Sequence, residues 1–106
     1  MTLLFATIPA VQAAGWRIAG EDWARPRGGE EILQMPALRS ALAALDSAPA
    51  AELAIRYPGG ETGGLWAHEL RGWLIALGLP GQRIRLLPGG VDGAELRLEL
   101  LHGRAP

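Results

Sequence analysis

The stretch from Pro58 to Pro88 constrains the fold more than any other part of this 106-residue chain. It runs as a glycine-rich loop, an amphipathic helix, an abrupt stop and a strand. Between Gly64 and Gly78, the residues Trp66, Leu70, Trp73, Leu74 and Leu77 recur at helical spacing and make one apolar stripe. His68, Glu69, Arg71 and Gly72 fall on the flanks and the far side. Gly78 supplies the left-handed residue that closes a helix, and Pro80 prevents the helix from resuming. Gln82 to Leu87 then alternates polar and apolar, as a strand does.

The remaining segments supply its partners. Gly15 to Trp23 predicts a short strand with Trp16 and Ile18 on one side, although Gly20 and Glu21-Asp22 weaken its second half. Ala24 to Gly29 is a loop, broken by Pro26 and the glycine pair. Pro36 suits the first position of a helix that runs to Leu45 and buries Leu38, Ala41, Leu42 and Leu45. The start is open, since Glu30, Glu31, Ile32 and Leu33 suit a first turn that Pro36 interrupts. Ala51 to Tyr57 is the clearest strand, with Leu53, Ile55 and Tyr57 on one face and Glu52, Ala54 and Arg56 on the other. After a turn over Pro88 to Gly93, Ala94 to Leu101 sets Leu96, Leu98 and Leu100 against Glu95, Arg97 and Glu99. If the last two strands are antiparallel neighbours, Arg83 and Arg85 pair with Glu95 and Glu99 across the wet face.

The order strand, helix, strand, helix, strand, strand predicts an α+β two-layer sandwich, with both helices on one face of a mixed sheet. Trp73 is expected to pin the layers together, and Trp73→Ala to be the most disruptive substitution.

Composition bounds the function. Apolar residues make up 49% and charged residues 20%, which suits one globular unit with a modest core. A net charge of -1 gives no electrostatic ground for nucleic acid or anionic lipid as the main partner. Without cysteine there is no disulfide, thiolate metal site or thiol nucleophile. Residues 1–13 resemble the end of a secretory signal peptide lacking its basic start, with Val11-Gln12-Ala13 as a small-x-small cleavage site. That stretch is too short to span a membrane. The alternative is a first strand, Leu3 to Ile8, at the sheet edge. Residues 14–106 are then the single folded domain.

The run Trp73-Leu74-Ile75-Ala76-Leu77-Gly78-Leu79-Pro80, followed by Arg83-Ile84, resembles the OmpA C-terminal domain family. There, an aromatic-leucine pair closes the helix, Gly-Ile-Pro stops it, and a basic residue precedes isoleucine at the next strand. The resemblance implies a periplasmic or cell-envelope protein. It also implies an aspartate–arginine clasp on the diaminopimelate of peptidoglycan. This chain departs from the pattern at both positions. Gly59 and Gly60 stand where the loop aspartate is expected, and Trp66 stands where the arginine is expected.

The candidate site is therefore a surface rather than a clasp. Gly59, Gly60, Glu61, Thr62, Gly63 and Gly64 lie before a helix N-terminus and have the composition to cradle an anion on backbone N–H groups. They match neither the Walker A nor the dinucleotide pattern, Glu61 opposes a phosphate, and a plain tight connection accounts for the same glycines. Trp66 and Trp23, if exposed, mark a partner surface. His68 and His102 are far apart and lack ligand-spaced acids, so no metal, cofactor or catalytic residue is expected. The expected function is that of a non-catalytic envelope module binding another envelope protein near Gly59 to Trp66. The alternative is residual peptidoglycan or small-anion binding through Glu61 and Arg56.

Overall fold

In the computed structural model, residues 15–25 and 28–102 are described. The signal-peptide remnant and the alternative strand Leu3 to Ile8 lie outside them. The elements are β1 (Gly15–Ala19), α1 (Gly20–Trp23), α2 (Gly29–Gln34), α3 (Pro36–Asp46), β2 (Glu52–Tyr57), α4 (Glu61–Ala76), a 3-10 turn (Gly81–Arg83), β3 (Ile84–Pro88) and β4 (Glu95–Leu101). The sheet order is β1-β4-β2-β3. β2 and β3 are parallel, and the other two pairings are antiparallel. This is an α+β fold on a mixed sheet. The stretch Pro58 to Pro88 is its crossover, since parallel neighbours cannot be joined by a hairpin and α4 carries the chain back.

Register explains where the core lies. Leu53 is opposite Ile84 and Leu100, Ile55 is opposite Leu86 and Leu98, and Ile18 is opposite Leu96. These side chains share one sheet face. They cluster with Leu38, Ala41 and Leu45 of α3 and with Ala67, Leu70 and Leu74 of α4. Both long helices therefore cover the same face. The period-two alternation puts Arg17, Arg56, Arg85, Arg97, Glu52, Glu95 and Glu99 on the reverse.

Several local expectations are corrected. The strand expected to reach Trp23 stops at Ala19, where the Gly20 N–H donates to the Ala94 carbonyl at 2.8 Å and the chain turns into α1. Gly20 is required at that corner, because a Cβ there would lie 2.6 Å from the Trp66 ring and 2.7 Å from the Ala94 oxygen. Glu30 to Leu33 belongs to a separate helix, α2, whose Ile32 is fully buried. The Glu31 carboxylate accepts the Gly28 N–H at 2.7 Å, which satisfies a donor just ahead of that helix.

α4 begins at Glu61, ahead of Gly64, and its buried stripe is Gly63, Ala67, Leu70 and Leu74. Trp66 and Trp73 are half-buried beside that stripe, and Leu77 is exposed. The wholly buried indole is that of Trp23.

The expected arginine pairs also change partners, because β2 separates β3 from β4. Arg85 Nε pairs with Glu52 at 2.8 Å, Arg56 Nε with Glu99 at 3.0 Å, and Arg17 with Glu95. Arg83 lies in the turn before β3. Its guanidinium donates to the carbonyls of Ala51 (2.9 Å), Ala48 (2.9 Å) and Leu45 (3.3 Å), closing the connection from α3 to β2.

Candidate functional site

The glycine run folds where the parallel strands β2 and β3 end. The loop after β2 and the loop after β3 are joined there by the Gly89 N–H, which donates to the Tyr57 carbonyl at 2.7 Å. Gly60 is the N-cap of α4, with φ of 100° in the left-handed region that favours glycine. It offers no side-chain cap, and its carbonyl accepts the Gly64 N–H at 3.1 Å.

The glycines differ sharply in what surrounds them. Gly59, Gly60 and Gly64 face open space. Gly63 is buried, and a Cβ on it would lie 1.9 Å from the Pro58 carbonyl oxygen. The helix start is thus packed onto the residue that follows β2 at a distance only glycine permits. That contact explains one glycine of the run by packing alone.

Around this corner, Glu61 and Thr62 are exposed, and Leu65 is 62% exposed. Glu61 lies in the first turn, where its charge favours the helix's own positive end and disfavours an added anion. Trp66 leans over Gly20 and is half-buried there. Trp23 does not reach the surface at all: it has no exposed area, and its Nε1–H donates to Glu69 Oε1 at 3.3 Å. It forms no part of a partner surface, because the turn of α1 tucks the ring under α4. Arg56 is held by Glu99.

The structure therefore gathers Gly59, Gly60, Glu61, Thr62 and Gly64 at one corner and adds Leu65, which sequence reasoning passed over. Its phase, opposite the buried stripe, was the available signal. Two concavities lie elsewhere. One of about 410 Å³ is lined by Leu42, Leu45, Leu74, Leu77, Leu79 and Arg83, and one of about 520 Å³ by Arg17, Ile18, Glu31, Met35 and Pro36. Neither takes in a residue of the glycine run.

Among the described residues, no group of three or more His, Cys, Asp or Glu side chains is placed to hold a metal ion. His68 and His102 are both exposed. No helix among them is long and apolar enough to cross a membrane. Two carboxylates are perturbed. The Arg17 guanidinium, by hydrogen bonding, holds Glu95 below the usual carboxylate range against the opposing effect of burial, and the Asp92 N–H assists. The Gly28 N–H lowers Glu31. The first pair ties β1 to β4, and the second closes the start of α2. No protein-family model matches the chain, and no curated protein or solved structure is significantly similar to it.

Proposed function

We propose that this chain is a non-catalytic binding or assembly module of the bacterial envelope, built on a divergent OmpA-like fold that lacks the diaminopimelate clasp. Its partner is another envelope protein, docked at the corner of Gly59, Gly60, Glu61, Thr62, Gly64 and Leu65. The observation that carries this reading is Leu65, a large side chain 62% exposed beside backbone open enough for close approach. A solvated leucine next to bare glycine backbone suits a partner's apolar anchor better than a charged ligand. The resemblance of the α4 stop to the family's helix end supplies the cellular context by analogy.

Site-specific crosslinking from position 62, on the same corner as Leu65, in the envelope fraction tests the proposal. A discrete adduct that disappears with Leu65→Glu is expected. Recovery of the chain only in the cytoplasm, or an adduct indifferent to Leu65→Glu, refutes it. The second possibility, residual binding of peptidoglycan or a small anion, rests on the exposed N-terminus of α4. Co-sedimentation with purified sacculi separates the two, since pelleting above control supports only the second.

A further inference from the structure

The sheet face turned away from the helices carries a row of arginines that internal pairing does not exhaust. Arg17, Arg97 and Arg56 stand directly opposite one another across β1, β4 and β2. Like charges directly opposed across strands destabilise a sheet, so the row calls for compensation. Arg17 is paired with Glu95, and Arg56 with Glu99 at 3.0 Å. The remaining carboxylate of this face, Glu52, is taken by Arg85 at 2.8 Å.

Among the described residues of the strands, four guanidinium groups (Arg17, Arg56, Arg85, Arg97) thus meet three carboxylates (Glu52, Glu95, Glu99), each already engaged, while Glu21 and Asp22 beyond β1 also attract Arg17. Arg97, in the middle of the row, has no ion pair among the described residues. Its guanidinium lies beside Gly15, whose missing side chain makes room for it: a Cβ there would be 3.2 Å from Nε and 3.5 Å from Nη2. The result is a planar cation on a half-open sheet face, attracted by Glu95 but in direct ion-pair contact with no carboxylate among the described residues.

We propose that this face docks an extended protein segment carrying a single carboxylate, which pairs with Arg97. Charge complementarity selects the occupant. The fork of a guanidinium matches a carboxylate in two parallel hydrogen bonds. Along β4, Arg97 is flanked two residues away on either side by Glu95 and Glu99, about 7 Å distant at strand spacing. A continuous polyanion such as nucleic acid would meet those carboxylates and be repelled. A strand with one acidic residue between neutral neighbours sets its carboxylate on Arg97 and uncharged side chains over Glu95 and Glu99. This surface is separate from the α4 corner, and the inference does not depend on it.

The test uses the full chain and a fluorescein-labelled peptide in which a single Glu is flanked by Thr and Val, with the matching Gln peptide as control. Anisotropy is read at about 50 mM and about 300 mM salt, because partly exposed charge pairs are screened over that range. The Glu peptide should bind and the Gln peptide should bind about tenfold or more weakly, as loss of a charge-assisted pair implies. Arg97→Gln should abolish the difference, Arg97→Lys should retain part of it, and Arg39→Gln, away from this face, should leave it unchanged. Equal binding of the two peptides, no binding at millimolar peptide, or undiminished binding by Arg97→Gln overturns the proposal.

Discussion

Gly63 and Gly64 are chemically identical neighbours in α4, yet alanine at the two positions should move stability in opposite directions. In an exposed helical position Gly→Ala contributes about 0.5–1 kcal/mol, from helix propensity and reduced freedom of the unfolded chain. Gly64 offers that setting, with nothing within 4 Å of an added Cβ. Gly63 does not, since its Cβ would lie 1.9 Å from the Pro58 carbonyl oxygen and 2.8 Å from the carbonyl carbon. Both opposing atoms are backbone, so relief needs α4 to move away from the end of β2 by about 1 Å or more, and overpacking of this kind costs about 1–3 kcal/mol. The propensity gain offsets only part of this, leaving Gly63→Ala about 1–2 kcal/mol less stable. For a chain of this size that is a Tm fall of about 5–15 °C, against a rise of a few degrees for Gly64→Ala. Thermal and urea unfolding of the two variants beside the parent make the comparison. Gly63→Ala as stable as the parent would refute the close contact, and a comparable loss in Gly64→Ala would refute the assignment of open space.

Three other outcomes follow from the same coordinates. Trp23→Ala should cost about 3–5 kcal/mol, more than Trp73→Ala, because only the former empties a fully buried site; denaturant midpoints of the pair decide it. Arg83→Met should cost about 1.5–3 kcal/mol, the worth of charged hydrogen bonds to the carbonyls of Leu45, Ala48 and Ala51, and amide exchange should quicken around residues 47–52. Glu95 and Glu31 both titrate lower in the folded state. Their stabilisation is therefore complete above the unfolded carboxylate value of about 4.3 and is lost as pH falls through the folded values. Glu95→Gln should flatten the acid limb of a stability–pH curve, and an unchanged limb would show that the Arg17 pair contributes nothing to it.

Much of the fold is legible along the chain because its signals are local. Pro36 at the start of α3, Gly78 and Pro80 after α4, and the alternation of Leu53, Ile55 and Tyr57 each act within a few residues. Element boundaries fail where a distant group decides them. β1 stops at Ala19 because the Trp66 ring and the Ala94 carbonyl leave no room beyond a glycine at position 20. Likewise α2 exists because Ile32 finds a place in the core that short-range propensity cannot foresee.

The candidate corner divides in the same way. Its glycines are visible in the sequence, but their separate roles are not, since an open Gly64 and a jammed Gly63 look alike until Pro58 is placed. The ion pairs show this most clearly. Alternation along β3 and β4 puts the charges on one face whatever the strand order. Which arginine meets which glutamate depends on β2 lying between those strands, an arrangement set by the crossover of α4. The sequence by itself determined periods, stops and faces, which are properties of neighbouring residues. The tertiary structure decided partners: the burial of Trp23, the engagement of Arg83 and the placing of Arg97 between Arg17 and Arg56. Those depend on which elements lie side by side, and no local pattern encodes that adjacency.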